Sequence, residues 1–571
     1  LRIAFLTFEF PDARPGGVGA YVLKCAIALA AMGHEPHIFT LQLPDAVRQR
    51  VPAGVHVDEV RDIAQRVEAG ILPSALAAAA LNGQPAAYKL LVGAMLCDAL
   101  RSSHQTQRFD VVEAAECEAL SLPLLLRPIP DLPVAVQIHL GIAANAFGNG
   151  VPPKERDHLA EGLELASIVG ADAVCAATQS VVDVTKLLCP FERSATIIPH
   201  SYGISADAGV SPMPADGAAL FIGRLQRRKG CDVLAAAADV FLKRNPQARV
   251  RIAGSDTQTA AGGTSMLAEM MRRIDPSVTE RFVYLGELSQ AEVRREIEAC
   301  RFQIVPSVVE NFANTAVDAM ALGRLVIYGG ETGLDEVVGD AGIRVWPLTP
   351  TLLAEKMELA WHDSAMVQRF GERAFERVRT RFDPAVVSQQ RIRFYEQLIA
   401  DHRKPNADRQ WQALSGPQIK AVLTAIVSQM SGTLALSGEV ATPGQLLTAK
   451  LRELAERLGR APNVWLFGAG RYTLRLLGER DRWESLGLQL AGIIDEHPRF
   501  EQSPTYLALP VQKPEQLCAA IERGLHVDAI VLSTDTLHDV FRHRTQCLAD
   551  LGVEILSFLP DADSSSALEG N

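Results

Sequence analysis

The sequence has no long apolar run. Nothing in it approaches the ~20 residues that a membrane-spanning helix needs, and Leu1–Leu6 reads as the opening strand of a fold, not as a signal peptide. It also lacks any lysine- or arginine-rich block. Its 56 basic residues against 67 acidic ones leave a net charge of −11, which argues against nucleic acid as a partner. An acidic total leaves room for a local basic patch, so peripheral contact with a membrane surface stays open. The nine cysteines, at 25, 97, 117, 175, 189, 231, 300, 518 and 547, include no C-x-x-C pair. That spacing excludes a zinc site and a disulfide framework, and it reads as the reduced thiols of a cytoplasmic protein.

What is present is enough apolar material, 48% of 571 residues, for several cores. At roughly 150 residues per domain the length suggests three or four domains. Apolar strand-like runs alternate with helical patterns almost throughout, which predicts an α/β protein with parallel sheets. The first block opens with Arg2–Thr7 and a glycine-rich turn. A helix over about Val18–Met32 follows, closed by Gly33. Further strands are expected at 37–40, 111–114, 134–139, 173–176 and 196–198. A Pro/Gly/Ala-rich bridge, Gly203–Gly217, closes this block, so a first domain is set at 1–205 and a second at 206–400. The second starts at Ala219–Gly223, with later strands at 249–253, 282–285, 302–305 and 325–328. Residues 401–461 read as a helical linker, 462–560 as a third small α/β domain, and 561–571 as a disordered tail.

The stretch Pro306–Gly323 carries the most chemistry. A short strand runs into a polar loop holding Glu310, a helix begins near Asn314, and Asp318 lies eight positions after Glu310. A helix N-terminus offers free N–H groups and partial positive charge, which suits a phosphate. Carboxylates on either side can hold hydroxyl groups flanking a diphosphate, as a nucleotide-sugar requires. The same block opens with Gly223-Arg224 and Lys229-Gly230 at the end of a strand, where ligands of open α/β sheets bind. A guanidinium and an ammonium there can neutralise a diphosphate leaving group; a solvated basic loop is the plainer alternative. No D-x-D pair closes a strand, so no metal site is expected. The third block has Gly468-Ala-Gly470 after a strand and Asp495 closing the next one. This is a dinucleotide fingerprint short of its last glycine, compatible with a second nucleotide site or with a fold kept for packing.

The motifs of the second block, with Pro15-Gly16-Gly17-Val18-Gly19-Ala20-Tyr21, Ala28–Glu35, Ala171-Asp172-Ala-Val and Ile197-Ile-Pro199-His200, resemble the signature of glycosyltransferase family 4 over residues 1 to about 400. The resemblance implies two facing Rossmann-like domains (the GT-B fold), plus the extra C-terminal Rossmann-like unit. It implies a metal-independent, retaining hexosyl transfer from a UDP- or GDP-sugar to a sugar, glycan or lipid-linked acceptor, with no further cofactor. It places Gly17, Gly19 and Gly223 near the donor phosphates. Arg224 and Lys229 then stabilise the leaving group, with Glu310 and His139 at the sugar. The amides of Phe312, Ala313 and Asn314 cap the phosphates, Asp318 grips the ribose, and Leu288 lies near the base. Glu116 is a weaker candidate for the acceptor side. Two departures stand out: Asp318 where the family usually has glutamate, and Ala313 where it has glycine, which implies a right-handed backbone at that position. A non-catalytic nucleotide-sugar-binding scaffold is the competing reading, and an NAD-linked enzyme centred on the third block is another.

Overall fold

A computed structural model describes residues 1–8, 17–41, 43, 45–49, 51–60, 77, 80, 84–150, 157–188, 191, 193–204, 209–214, 217–402, 443–467, 489–494, 505–506, 509–532 and 546–557. These residues form two compact units, one reaching from Leu1 to Gln429 with short gaps and one built mainly from 430–571.

The larger unit holds two parallel sheets. The first joins β1 (Arg2–Leu6), β2 (Glu35–Thr40), β3 (His56–Glu59), β4 (Val111–Ala115), β5 (Val134–Ile138), β6 (Ala173–Ala176) and β7 (Thr196–Ile197) in the order β3-β2-β1-β4-β5-β6-β7. The second joins β8 (Ala218–Ile222), β9 (Val250–Ala253), β10 (Phe282–Tyr284), β11 (Cys300–Val305), β12 (Leu325–Gly329) and β13 (Ile343–Val345) as β10-β9-β8-β11-β12-β13. Helices cover the strands, which is why β4, β5, β8 and β12 are buried at every position; β8 and β12 read as unbroken apolar runs, and β4 and β5 are broken only by the buried Glu113 and Gln137. Gly33, at φ +82°, ends the Gly17–Ala31 helix as expected. In each sheet the strand order reverses at one point, between β1 and β4 and between β8 and β11. That is where crevices open in such sheets.

In the larger unit one helix packs away from the domain to which sequence assigned it. The helix Pro384–His402, assigned by sequence to the 206–400 domain, packs on the first sheet. Val387, Ile392, Phe394, Tyr395 and Leu398 join the core formed by Ile3, Phe5 and Leu29. Arg391 and Tyr395 both donate to Glu113 on β4, each at 2.7 Å, and Tyr21 donates to the other oxygen of Glu113 at 2.6 Å. An arginine and a glutamate that are both buried need each other, and Arg391 Nη1 pairs with Glu113 across nearly three hundred residues. The bridge Gly203–Gly217 is fastened too: the buried Arg324 donates to the carbonyls of Ser211 at 2.7 Å and Pro212 at 3.0 Å.

The smaller unit has a third sheet of β14 (Asn463–Phe467), β15 (Gln489–Ile494), β16 (Thr505–Tyr506), β17 (Leu509–Gln512), β18 (Ala529–Leu532) and β19 (Glu554–Ser557). Its order is β16-β17-β15-β14-β18-β19, with only the β16–β17 pair antiparallel. The helix Pro443–Leu458, read from sequence as part of a linker, belongs to this unit: Leu451 and Leu454 are buried and Arg457 pairs with Glu554. Gly468, Gly470, Asp495 and the tail 561–571 lie outside the described residues.

Candidate functional site

Both glycine-flanked motifs of the second sheet converge at its reversal point. The turn after β8 carries Arg224 and Lys229, and the loop after β11 carries Glu310. Close approach is enforced by Gly230, at φ +70°, where a Cβ would sit 1.9 Å from the carbonyl oxygen of Pro306. Lys229 donates to Glu310, which also accepts from Ser307 Oγ at 3.2 Å and from the Asn311 amide at 3.2 Å. Burial pushes the Glu310 carboxyl up, but Lys229, Arg228 and Ser307 outweigh it and hold the group below the usual carboxylate range. Burial lowers Lys229 against the pull of Glu310. Arg224 is exposed, and its charge reaches Lys229 and Arg228. Two cations against one carboxylate, with the charge of Arg224 reaching both of them, leave an excess of positive charge suited to an anionic ligand.

The helix Asn314–Ala321 starts directly beyond this loop, and Ala313 ahead of it has no side chain to cap its N–H groups. Ala313 itself departs from expectation. Its φ is +49° and ψ 73°, a left-handed conformation that an alanine holds at a cost of roughly 1–2 kcal/mol. The neighbouring Phe312 fixes it, buried between His200 (centroids 4.7 Å apart) and Phe382 (5.1 Å). Asp318 hydrogen-bonds the Tyr202 hydroxyl. Burial raises its carboxyl, against Tyr202 and Lys24, which pull it down. Lys24 Nζ lies 5.1 Å from the centre of the Tyr202 ring. Leu288 is half-buried against the core of the second sheet, and Gly223 is half-buried at the end of β8.

The first sheet brings its own groups to the same place. His139 follows β5 and stacks edge-on to Tyr21 at 5.0 Å, while Tyr21 in turn lies 4.7 Å from His200. Burial, then Arg391, lowers His139 to about 3, so its ring is neutral. Among the described residues neither His139 Nε2 nor His200 Nε2 has a hydrogen-bond partner, although both are buried. Tyr21, Lys24, Cys25, His200, Ser201 and Asn314 line a cavity between the Gly17–Ala31 helix and the start of the Asn314–Ala321 helix. Gly19 is buried in that first helix and Gly17 is exposed at its start; Gly16 lies outside the described residues. Glu116, after β4, does not face open space. Its Oε2 accepts the His139 amide at 2.7 Å, and burial, then repulsion from Glu164, lifts it to about 8. It therefore orients the His139 backbone.

Several residues that shape this place had escaped sequence reasoning as site residues: Tyr21, Lys24, His200, Tyr202 and Arg228. Tyr21 and His200 do lie inside the motifs that carried the resemblance. Arg228 joins the two halves: its amide donates to Asn149 Oδ1 at 3.0 Å and its guanidinium to the Val309 carbonyl at 3.2 Å. Thr178 Oγ1 donates to Asn311 Oδ1 at 3.2 Å, and Glu336 accepts the amides of Gln179 and Ser180 at 2.8 and 2.9 Å. Among the described residues no group of three or more His, Cys, Asp or Glu is placed to hold a metal ion.

Residues 16–189 match the family described as "Glycosyl transferase 4-like domain", and residues 217–363 match "Glycosyl transferases group 1". Among curated proteins, the glycogen synthase of Mycobacterium tuberculosis (strain ATCC 25618 / H37Rv) is 25% identical over 423 residues, covering 71% of this chain and 97% of that protein. A D-inositol 3-phosphate glycosyltransferase of Kineococcus radiotolerans is 26% identical over 441 residues, covering 70% and 96%. Among solved structures, a sucrose-phosphate synthase from Thermosynechococcus elongatus superposes with a TM-score of 0.52 at 21% identity, over 70% of this chain and 99% of that one, a likeness of fold. The two family matches together span more than half of the residues, so the chain belongs to the family 4 type of GT-B glycosyltransferases, which use a nucleotide-sugar donor.

Proposed function

We propose that the chain transfers a hexosyl-type sugar from a UDP- or GDP-sugar to an acceptor hydroxyl, with retention and without a metal, in glycan or polysaccharide assembly in the cytoplasm. The observation that carries this reading is the contact of Lys229 with Glu310 at the reversal point of the second sheet, beside an uncapped helix start. Breaking the anomeric C–O bond builds negative charge on the leaving phosphate, and stabilising charge where it develops is the largest catalytic task. In the proposed mechanism Arg224, Lys229 and the amides around Phe312, Ala313 and Asn314 take that charge. Glu310 then exchanges its ammonium partner for sugar hydroxyls. The neutral His139 offers hydrogen bonds to the donor sugar without adding charge, and Asp318, oriented by Tyr202, meets the ribose. Gly17, Gly19 and Gly223 allow the backbone close to the donor, and Leu288 borders the base. With no separate nucleophile proposed, the leaving phosphate assists front-face attack by the acceptor.

On this reading residues 1–205, together with the returning helix Pro384–His402, form the acceptor side, and 206–383 form the donor side. A lipid-linked acceptor, with contact at a membrane surface, belongs to the same proposal. The test is a screen of UDP- and GDP-sugars for binding and for nucleotide release, with the product anomer read by NMR. Turnover that Glu310→Ala abolishes supports the assignment. Binding of a donor that is never turned over would instead favour a non-catalytic scaffold, a reading to which the left-handed Ala313 and the shortened Asp318 lend weight. Donor turnover with inversion would remove the front-face mechanism and leave the transferase.

A further inference from the structure

Apart from the glycosyl-transfer site, the smaller unit brings together two cysteines that the sequence keeps well apart. Cys518 lies on the helix Pro514–Glu522 and Cys547 on the helix Gln546–Asp550, and their sulfurs are 2.9 Å apart, with the Cys518 thiol donating toward Cys547. Both cysteines are free thiols in direct contact. Cys518 is half-buried, packed on the core of Trp465, Ile530 and Leu548, and Cys547 is exposed. Among the other described cysteines, Cys25, Cys97, Cys175, Cys231 and Cys300 are buried and Cys117 is half-buried. Cys547 is thus the one described thiol open to solvent, and its neighbour is already in place.

We propose that Cys518 and Cys547 are a modification site: a dithiol that a hydroperoxide converts reversibly into a disulfide pinning these two helices together. The Cys547 thiolate attacks the peroxide oxygen, the O–O bond breaks, and Cys547 becomes a sulfenic acid as hydroxide leaves. Cys518 sulfur then attacks the Cys547 sulfur. The S–O bond breaks, the S–S bond forms, and the Cys518 proton leaves with the departing hydroxide as water. In sum two thiols and one hydroperoxide give one disulfide and two waters (one water and an alcohol for an organic peroxide). The roles follow from placement. Cys547 meets the oxidant, whereas burial and the bond to Cys547 push the Cys518 thiol up to about 12, so Cys518 resolves and does not initiate.

The experiment takes the reduced full-length protein, adds stoichiometric hydrogen peroxide, quenches with iodoacetamide and maps the peptides by mass spectrometry. The expected product is a linked peptide pair containing Cys518 and Cys547, with intact mass about 2 Da lower and reversed by dithiothreitol. Cys547→Ser abolishes the link and leaves Cys518 fully alkylated. Cys518→Ser traps Cys547 as a sulfenic acid that dimedone labels several-fold more than in the parent. The proposal is overturned if the parent protein shows no internal link. Cys547 running on to sulfinic or sulfonic acid, crosslinking between chains, or equal dimedone labelling in the parent and Cys518→Ser would also overturn it.

Discussion

Gly148 sits where the two halves of the larger unit meet, and its lack of a side chain sets up a test of closure. It is the penultimate residue of the helix Ile142–Asn149, where alanine is intrinsically favoured over glycine by up to about 1 kcal/mol. Yet a Cβ at this position would lie 2.9 Å from Arg228 Cγ, 3.0 Å from Arg228 Cβ and 3.0 Å from Val309 Cβ. These are not loose ends. Arg228 is tied by its amide to Asn149 and by its guanidinium to the Val309 carbonyl, so it has little freedom to yield. Overpacking of this kind typically costs 1–3 kcal/mol, and here the strain can be relieved by parting the halves. If catalysis requires the closed arrangement, Gly148→Ala should lower kcat/KM about 5- to 150-fold. Thermal stability should stay level or rise slightly, because the first sheet and its own helices are undisturbed. The assay pairs steady-state kinetics on the donor identified by screening with a melting curve. Adding Arg228→Ala to Gly148→Ala, measured against Arg228→Ala alone, should shrink the penalty by removing the closest clash. Unchanged kcat/KM, or a loss matched by an equal fall in melting temperature, would refute the idea that this contact governs closure.

Arg391→Met should destabilise the larger unit by about 3–5 kcal/mol, because it strands the buried Glu113. The double variant Glu113→Gln/Arg391→Met should recover much of that in urea melts. Ala313→Gly should stabilise by about 1 kcal/mol by removing a left-handed alanine, visible as a rise in melting temperature of a few degrees. Glu116 gives a pH signature. Its folded pKa of about 8 lies above the ordinary value of 4.5, so the folded state holds the proton more tightly than the unfolded one. The stability this supplies is complete below about pH 4.5 and is lost as pH rises through 8. At the 1.36 kcal/mol that each pH unit is worth, this is at most about 5 kcal/mol, less what the coupling to Glu164 withholds. Glu116→Gln should therefore flatten the decline in stability between pH 5 and 8, and parallel profiles for the two proteins would contradict it.

The parallel architecture was legible because strands covered on both faces are mostly apolar; β8 and β12 are continuous apolar runs, and β4 and β5 each carry a single polar residue, Glu113 and Gln137. The edge strands β3, β13 and β16 were missed, as was β17 beside β16. They are short, and β3 carries His56, Asp58 and Glu59 where a buried strand would carry Val or Ile. Lys229 and Glu310 could be paired in advance because glycines and a helix start mark both of their loops. Arg228 could not, since its role depends on Asn149, seventy-nine positions upstream. Ala313 misled, because intrinsic preference argues against a positive φ and tertiary packing of Phe312 overrode it. Glu116 was read as a weaker candidate for the acceptor side, because sequence does not show that it is buried with the His139 amide and Glu164.

The return of the helix Pro384–His402 to the first sheet bears on how this enzyme can be dissected. A fragment ending near residue 205 would keep Glu113 in its apolar setting without Arg391 or Tyr395, and would leave the seat of Ile392 and Leu398 bare. Chimeras that exchange donor halves between relatives should therefore splice at two points, one in the bridge near 205 and one just before Pro384. The final helix then stays with the half on which it rests.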